Sequence, residues 1–192
     1  NLSGILKHRI IDIVRGTTVA NDYNTIAIEV DSGIEYLDLL RSQKLIKLLF
    51  YIKENVPFYK RIMSKYSNNE ILSSPFDVLG RLPMISKEQL ITNKNDFISQ
   101  KKRPHIINHT GGSTGDPLEY IVDKTCISRT RAYDLYFWNK ALGYNLGDRV
   151  LKIGGSSLGS SKGFSMKVYN YLQSKISIEG GIISKERMTQ NT

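Results

Sequence analysis

The chain has 192 residues, of which 40% are hydrophobic and 23% charged, so its composition is that of a globular protein and not of a disordered chain. Its length suits about one domain of ordinary size or two small ones, and its single cysteine excludes an internal disulfide framework and a cysteine-based zinc site. Lysine and arginine exceed aspartate and glutamate by 27 to 18, and the net charge of +9 attracts polyanions without selecting among them.

Residues 1–34 form a weakly defined N-terminal segment. β-branched stretches at 10–14 and 25–30 stand on either side of the turn-forming Asn21 and Asp22. This arrangement is typical of short strands. The pattern supports no firm assignment, so the secondary structure of this segment is left open.

Residues 35–100 have the pattern of a helical region. One apolar stripe recurs at spacings of three and four, as on one face of a helix, and it consists of Leu45, Leu48, Leu49, Ile52 and Val56. Pro57 ends this helix or opens the next, because its ring fixes φ and lacks a donor. Further along, Ser86 and Gln89 have the spacing of a capping box, which predicts the start of a short helix.

Residues 101–192 alternate between strand and helix patterns, which predicts an α/β fold class. Asp123 is placed to cap the longest helix of this region and Gly143 to end it. The predicted elements are strands at 105–109 and 118–122, a helix at 124–142, a buried strand at 149–153, a glycine- and serine-rich loop at 154–163, a helix at 164–173 and a strand at 176–179.

The stretch between the first two of these strands combines glycines with hydroxyl side chains, a composition that suits anion binding. Glycines let backbone N–H groups approach phosphate oxygens closely, and Ser113 and Thr114 add side-chain donors. It lacks the spacing and the lysine of a Walker P-loop, and the second loop has serine at the lysine position. An ordinary hairpin connection is the alternative interpretation, because the same residues are common in turns.

Residues 110–118 read TGGSTGDPL, which resembles the phosphate-binding signature T-S-G-S-T-G-x-P-K of the adenylate-forming ligases at six of its eight specified positions. Gly111 stands where serine is usual, and Leu118 replaces the lysine. The missing lysine indicates the phenylacetate-coenzyme A ligase branch, which includes proteins of capsular polysaccharide biosynthesis. Three other segments are similar to that branch: ENVPFY at 54–59, LPMISKE at 82–88 and GDRV at 147–150.

The resemblance implies that the chain is the N-terminal portion of the large adenylate-forming domain, with helices packed on a mixed sheet and the domain incomplete. It also implies a reaction in which ATP, with Mg²⁺, and a carboxylic acid such as an aryl acid give an acyl-adenylate, from which coenzyme A or another acceptor takes the acyl group. The residues that would hold the β- and γ-phosphates are Thr110, Gly111, Gly112, Ser113, Thr114 and Gly115.

The resemblance assigns no catalytic residue and no metal ligand within this chain. The family's adenine-binding, ribose-binding and mobile lysine elements lie downstream of every position present, so we expect the chain alone not to complete a turnover. Whether it is an enzyme by itself stays open; at full length the resemblance implies an acid–thiol ligase. The start at Asn1 and the end at Thr192, where a new helix pattern begins, are typical of a fragment.

Two other function classes stay open at this stage. One is a truncated, non-catalytic remnant of a ligase. The other is a basic domain that binds nucleic acid or another polyanion through residues 101–103 together with Arg129 and Arg131. A solvated basic face is the preferred interpretation of these charges, because no recognised nucleic-acid-binding motif accompanies them. The partner that the family resemblance implies is a small carboxylic acid, and self-association into a homo-oligomer is left open.

Several other residues are of types that can bind metals or ligands, but their sequence pattern favours a structural role. His105 and His109 have the spacing of a helical metal-ligand pair, but the β-branched residues between them favour a strand. The aromatic run 133–138 is interpreted as core, and Cys126 as a small buried or half-buried residue. No apolar run approaches the ~18 residues of a membrane-spanning helix, and no secretory signal opens the chain, so we predict a cytoplasmic protein.

Overall fold

The computed structural model describes residues 2–110, 117–154, 170–172 and 174–179, and this part of the chain is mostly helical with two small sheets. The helices are α1 (Leu2–Arg15), α2 (Val19–Asp31), α3 (Ile34–Asn55), α4 (Pro57–Ile62), α5 (Asn68–Ser73), α6 (Pro75–Gly80), α7 (Lys87–Thr92), α8 (Lys94–Phe97) and α9 (Lys124–Leu142). The strands are β1 (His105–His109), β2 (Glu119–Asp123), β3 (Val150–Gly154) and β4 (Lys175–Glu179). A fold that mixes α and β elements is therefore confirmed.

Contacts between residues divide the chain into two compact units. The terminal unit comprises residues 1–27 and 127–192, and the central unit comprises residues 28–126. These units are defined by contact, whereas the ranges 1–34, 35–100 and 101–192 were drawn from sequence patterns. The three ranges stay a prediction about how the sequence is organised.

Leu2–Arg15 and Val19–Asp31 are helical, which corrects the strand-like interpretation of the β-branched stretches at 10–14 and 25–30. Asp12 stabilises the start of α2: its carboxylate accepts hydrogen bonds from the backbone N–H groups of Val19 at 3.0 Å and Ala20 at 2.8 Å. Free N–H groups at a helix start need such acceptors. Ile11 and Ile26 are buried, and burying each stabilises the fold by about 1.5–3 kcal/mol, more than the few tenths that β-branching costs a helix.

The longest helix of the terminal unit is anchored by its aromatic and aliphatic side chains. Leu135 and Tyr136 of α9 are buried, and the Tyr136 ring contacts the Tyr23 ring edge-on at 6.3 Å. Phe137, in contrast, is 54% exposed, so the interpretation of the aromatic run as core is correct for Tyr136 but wrong for Phe137.

One glycine of the terminal unit is required by a close approach of two backbone segments. A Cβ at Gly4 would lie 1.5 Å from the carbonyl oxygen of Leu146, far inside any permitted contact distance. Leu146 itself is buried. The absence of a side chain at Gly4 is therefore what allows the start of α1 to pack on the segment around Leu146.

The central unit has a compact core, to which α3 contributes side chains from one of its faces. Its buried members are Leu45, Leu49, Met63, Tyr66, Ile71 and Val78. Helix α3 ends before Val56, whose extended backbone lets Pro57 open α4 at its first position. Leu48, predicted in the apolar stripe, is 52% exposed, so the stripe is correct at Leu45 and Leu49 and wrong at Leu48.

Local capping signals are confirmed where the sequence predicted them. The Gln89 N–H donates to Ser86 Oγ at 3.2 Å, and the Ser86 N–H donates to Gln89 Oε1 at 2.8 Å, which completes the capping box. Asp123 Oδ1 accepts from the Thr125 N–H at 2.8 Å at the start of α9. Gly143 follows the end of α9 with φ of +69°, a left-handed conformation that glycine adopts without strain. Cys126 is exposed, so the prediction that it is buried or half-buried is wrong.

The four strands form two separate two-stranded sheets in the part of the chain that the structure describes, and not the one mixed sheet that the family resemblance implies. Strands β1 and β2 are antiparallel, with His105 opposite Asp123 and His109 opposite Glu119. Strands β3 and β4 are parallel. The predicted strand positions are confirmed, but Leu151 is 57% exposed, which corrects the expectation that β3 is buried.

Two predicted elements fall largely outside the described residues. Residues 155–163 of the second glycine-rich loop are among those that the structure does not describe, and so are 164–169 and 173 of the predicted helix at 164–173. The remaining residues of that helix, 170–172, are helical.

Candidate functional site

The candidate site is the hairpin of β1 and β2, which carries the glycine-rich stretch between its strands. Two hydrogen bonds close the neck of this connection. The Thr110 N–H donates to the carbonyl oxygen of Leu118 at 2.9 Å, and the Leu118 N–H donates to Thr110 Oγ1 at 2.9 Å. The two ends of the connection are thus held together at Thr110 and Leu118.

Of the six residues predicted to hold phosphate, the structure describes Thr110 alone. Its Oγ1 accepts the Leu118 N–H at the neck, so its hydroxyl hydrogen can still be donated to a ligand. The other five lie outside the described residues, and their predicted role stays a prediction; they are Gly111, Gly112, Ser113, Thr114 and Gly115.

A carboxylate beside the neck joins two basic side chains. Glu119 Oε1 accepts a hydrogen bond from Lys94 Nζ of α8. Its other oxygen, Oε2, lies 3.5 Å from His109 Nε2 on the opposite strand. Lys94 reaches this position from 25 residues away in sequence, and it brings a cation close to a connection whose own lysine position is occupied by Leu118.

These contacts change how readily the Glu119 carboxylate takes up a proton. The hydrogen bond from Lys94 and the charge of that ammonium lower the pKa of Glu119 below its ordinary value of 4.5, and His109 adds a smaller effect in the same direction. Glu119 therefore stays ionised to lower pH than an isolated glutamate.

A second acid–base group lies at the far end of the hairpin. Asp123 accepts from the Thr125 hydroxyl at 2.6 Å and from the Thr125 N–H, and these bonds lower its pKa. The Arg103 guanidinium lies 3.6 Å from Asp123 Oδ2 and also stacks over the Tyr51 ring at 5.0 Å. The last cation of the predicted basic cluster is thus tied to the hairpin.

A cleft of about 630 Å³ opens between the hairpin, α8 and the end of α3. Its walls are mostly apolar and include Phe97, Ile98 and Ile121. Basic side chains from 94 and 101–103 line it as well, together with Glu119 and Asp123. A volume in the range of ~300–1,000 Å³ with a few polar groups among apolar walls is typical of small-molecule sites.

The histidines of β1 make contacts that differ from those of metal ligands. His105 Nδ1 lies 2.8 Å from the Arg103 carbonyl oxygen, and His109 pairs with Glu119. Among the residues that the structure describes, no group of three histidine, cysteine, aspartate or glutamate side chains is placed to hold a metal ion. The strand assignment that disfavoured a histidine metal pair is confirmed.

The arginines proposed for polyanion binding on α9 contact the helix's own aromatic side chains. Arg131 lies over the Trp138 ring at 4.9 Å and 4.0 Å from Asp134. Arg129 lies over the Tyr133 ring at 5.6 Å. These contacts engage the charges within the helix and supply no specific support for nucleic-acid binding.

The sequence analysis did not single out Lys94 or Glu119. Glu119 has a local signal, since it stands next to the loop and opposite His109 in the predicted hairpin. Lys94 has none, because its pairing with Glu119 depends on how α8 packs against the hairpin.

The chain is similar to one curated relative, Protein CapK of Staphylococcus aureus. The two are 31% identical over 121 residues, which amount to 62% of this chain and 26% of that protein. The chain thus matches about a quarter of the length of this relative. No family model and no solved structure matches the chain. None of the helices in the described ranges is long and apolar enough to cross a membrane.

Proposed function

We propose that this chain is the N-terminal, phosphate-binding part of an ATP-dependent adenylate-forming ligase that acts in capsular polysaccharide biosynthesis. The observation that carries the proposal is the string TGGSTGDPL at 110–118, held between two antiparallel strands that Thr110 and Leu118 close at the neck. The similarity to Protein CapK supports the capsule-related assignment.

The reaction would proceed in two steps. A carboxylate oxygen of the substrate attacks the α-phosphorus of ATP, the bond to the β-phosphate oxygen breaks, and an acyl-adenylate and pyrophosphate result. The thiolate of coenzyme A, or another nucleophilic acceptor, then attacks the acyl carbon and AMP leaves. Donors placed around the departing pyrophosphate favour the first step, because they stabilise negative charge that grows in the transition state.

The hairpin places basic side chains near the neck. Leu118 provides no cation, and Glu119, next to the neck, holds Lys94 and His109, for which a bound phosphate would compete with this carboxylate. Mg²⁺ would enter bound to the nucleotide, since it is commonly held by substrate phosphates and one or two carboxylates. Thr110, Ser113 and Thr114 would donate hydroxyl hydrogens to the β- and γ-phosphates.

The proposal is tested by titrating the chain with tripolyphosphate and Mg-ATP in a calorimeter. Replacing both hydroxyls in Ser113→Ala/Thr114→Ala is expected to weaken binding at least tenfold, because each charge-assisted hydrogen bond contributes about 1.5–3 kcal/mol. The matched control, Ser42→Ala/Thr92→Ala, removes one half-exposed and one exposed hydroxyl from helices and should leave affinity within twofold.

Equal losses in the two double variants, or no binding of either ligand at millimolar concentration, would contradict phosphate binding by this loop. The activity itself is tested by acid-dependent exchange of labelled pyrophosphate into ATP, using a form of the protein long enough to include the downstream elements. No exchange with any of a panel of aryl and alkyl acids would count against the ligase assignment.

A further inference from the structure

The cleft of the central unit has an apolar surface that its own side chains do not fill. Ile121 on β2 is 39% exposed, and Phe97 and Ile98 are partly exposed. Apolar surface in a concave site of about 630 Å³ is released from water when an apolar ligand enters. The walls therefore favour a ligand with an apolar body.

The charges that line the cleft do not balance. Lys94 pairs with Glu119, and Arg103 pairs with Asp123. Lys101 and Lys102 also line the cleft and are exposed, and within the described ranges neither has an ion pair. Two lysine charges are thus left over beside the apolar walls, and they attract an anion and repel a cation.

We propose that this cleft binds an amphiphilic anion, with its apolar body against Phe97, Ile98 and Ile121 and its carboxylate beside Lys101 and Lys102. A neutral apolar ligand would gain nothing from the two lysines, and a cationic one would be repelled by them. The proposed ligand contacts lie outside residues 110–118, although Leu118 also lines the cleft. Decanoate binding in Lys101→Glu/Lys102→Glu and phosphate binding in Ser113→Ala/Thr114→Ala are separate readouts, so either proposal can fail without the other.

The test compares two amphiphiles of one chain length and opposite charge, decanoate and decyltrimethylammonium, each titrated into the 192-residue chain below its micelle concentration. Amide shifts in ¹⁵N-resolved NMR spectra report both the affinity and the place of binding. Decanoate is expected to bind and to shift the amides of Ile98 and Ile121, and decyltrimethylammonium is expected to bind at least tenfold more weakly.

Two double variants separate a local site from a general effect of net charge. Lys101→Glu/Lys102→Glu reverses the charges at the cleft and is expected to weaken decanoate binding at least tenfold. Lys47→Glu/Lys60→Glu makes the same change of net charge at exposed positions on α3 and α4 and should leave the affinity within twofold. All four lysines are exposed, so neither variant disturbs the core.

Three results would overturn the proposal. One is equal affinity for the two amphiphiles, which would show that charge plays no part. Another is an equal loss of decanoate affinity in both double variants, which would show attraction to the whole basic surface. The third is the absence of decanoate-dependent shifts at Ile98 and Ile121, which would place any binding elsewhere.

Discussion

At the scale of single residues, the pairing of Lys94 with Glu119 decides the charge beside the loop neck. Lys94 belongs to no recognisable sequence motif. Its ammonium contacts Glu119 because α8 lies near the hairpin. His109 completes the group from the opposite strand. The result is a carboxylate that contacts two basic side chains, close to a loop that lacks its usual lysine.

Replacing this lysine should change the titration of Glu119. The folded-state pKa of Glu119 is lowered, chiefly by the Lys94 hydrogen bond, so its stabilising effect is present above its ordinary value of 4.5 and is lost as the pH falls through the lower, folded value. In Lys94→Met we expect the pKa of Glu119 to rise toward 4.5. The measurement is an NMR pH titration of the Glu119 side-chain carboxyl carbon.

Lys87→Met is the matched control, because Lys87 is an exposed lysine of the neighbouring helix α7 that makes no contact with Glu119. It should leave the Glu119 titration unchanged. An unchanged pKa in Lys94→Met as well would mean that the pair does not form in solution.

At the scale of elements, two adjacent leucines of α3 differ in burial because they lie on different faces of the helix. Leu49 is fully buried with Leu45 and Met63, whereas Leu48 is 52% exposed. Successive residues on a helix are about 100° apart, so one of two neighbours can face the core while the other faces solvent. The apolar stripe predicted from the sequence wrongly includes Leu48, which faces solvent.

This difference predicts unequal effects of the same truncation. Leu49→Ala should lower the free energy of unfolding by about 2–5 kcal/mol, because it removes buried methyl groups and leaves a cavity. Leu48→Ala should change it by no more than about 0.5 kcal/mol, as for other exposed positions. Urea denaturation followed by circular dichroism measures both, and similar losses in the two variants would be inconsistent with the helix orientation.

At the scale of the whole molecule, a buried histidine links folding to pH. His8 of α1 is only 3% exposed. Burial lowers its pKa below the ordinary value of 6.5, the positive charge of Arg131 lowers it further, and Asp12 acts in the opposite direction. Helix α1 therefore packs in the terminal unit with His8 uncharged at neutral pH.

The sign of the pH dependence follows from this shift. Because protonation is harder in the folded state, the unfolded chain binds more protons, and stability falls as the pH drops below 6.5 toward the folded pKa. We expect the melting temperature to decline over this range and His8→Gln to flatten the decline. His105→Gln, at an exposed histidine of β1, is the control and should leave the slope unchanged.

Much of the fold could be predicted where the signal and the structure it specifies lie within a few residues of each other. The capping box at Ser86, the cap at Asp123 and the turn at Gly143 are settled by hydrogen bonds and backbone preferences inside one helical turn. The strands on either side of the glycine-rich loop follow the same rule, because β-branched residues and turn residues alternate locally.

By itself, then, the sequence determined the local boundaries, the mixed α and β content and the hairpin that presents residues 110–118. Tertiary structure decided what depends on distant residues. Leu2–Arg15 and Val19–Asp31 are helical, with Asp12 accepting hydrogen bonds at the start of α2, and Lys94 contacts Glu119. The physical reason is that burial and ion pairing are set by which surfaces meet. Which surfaces pack together depends on residues far apart in the sequence, so local sequence patterns do not predict it.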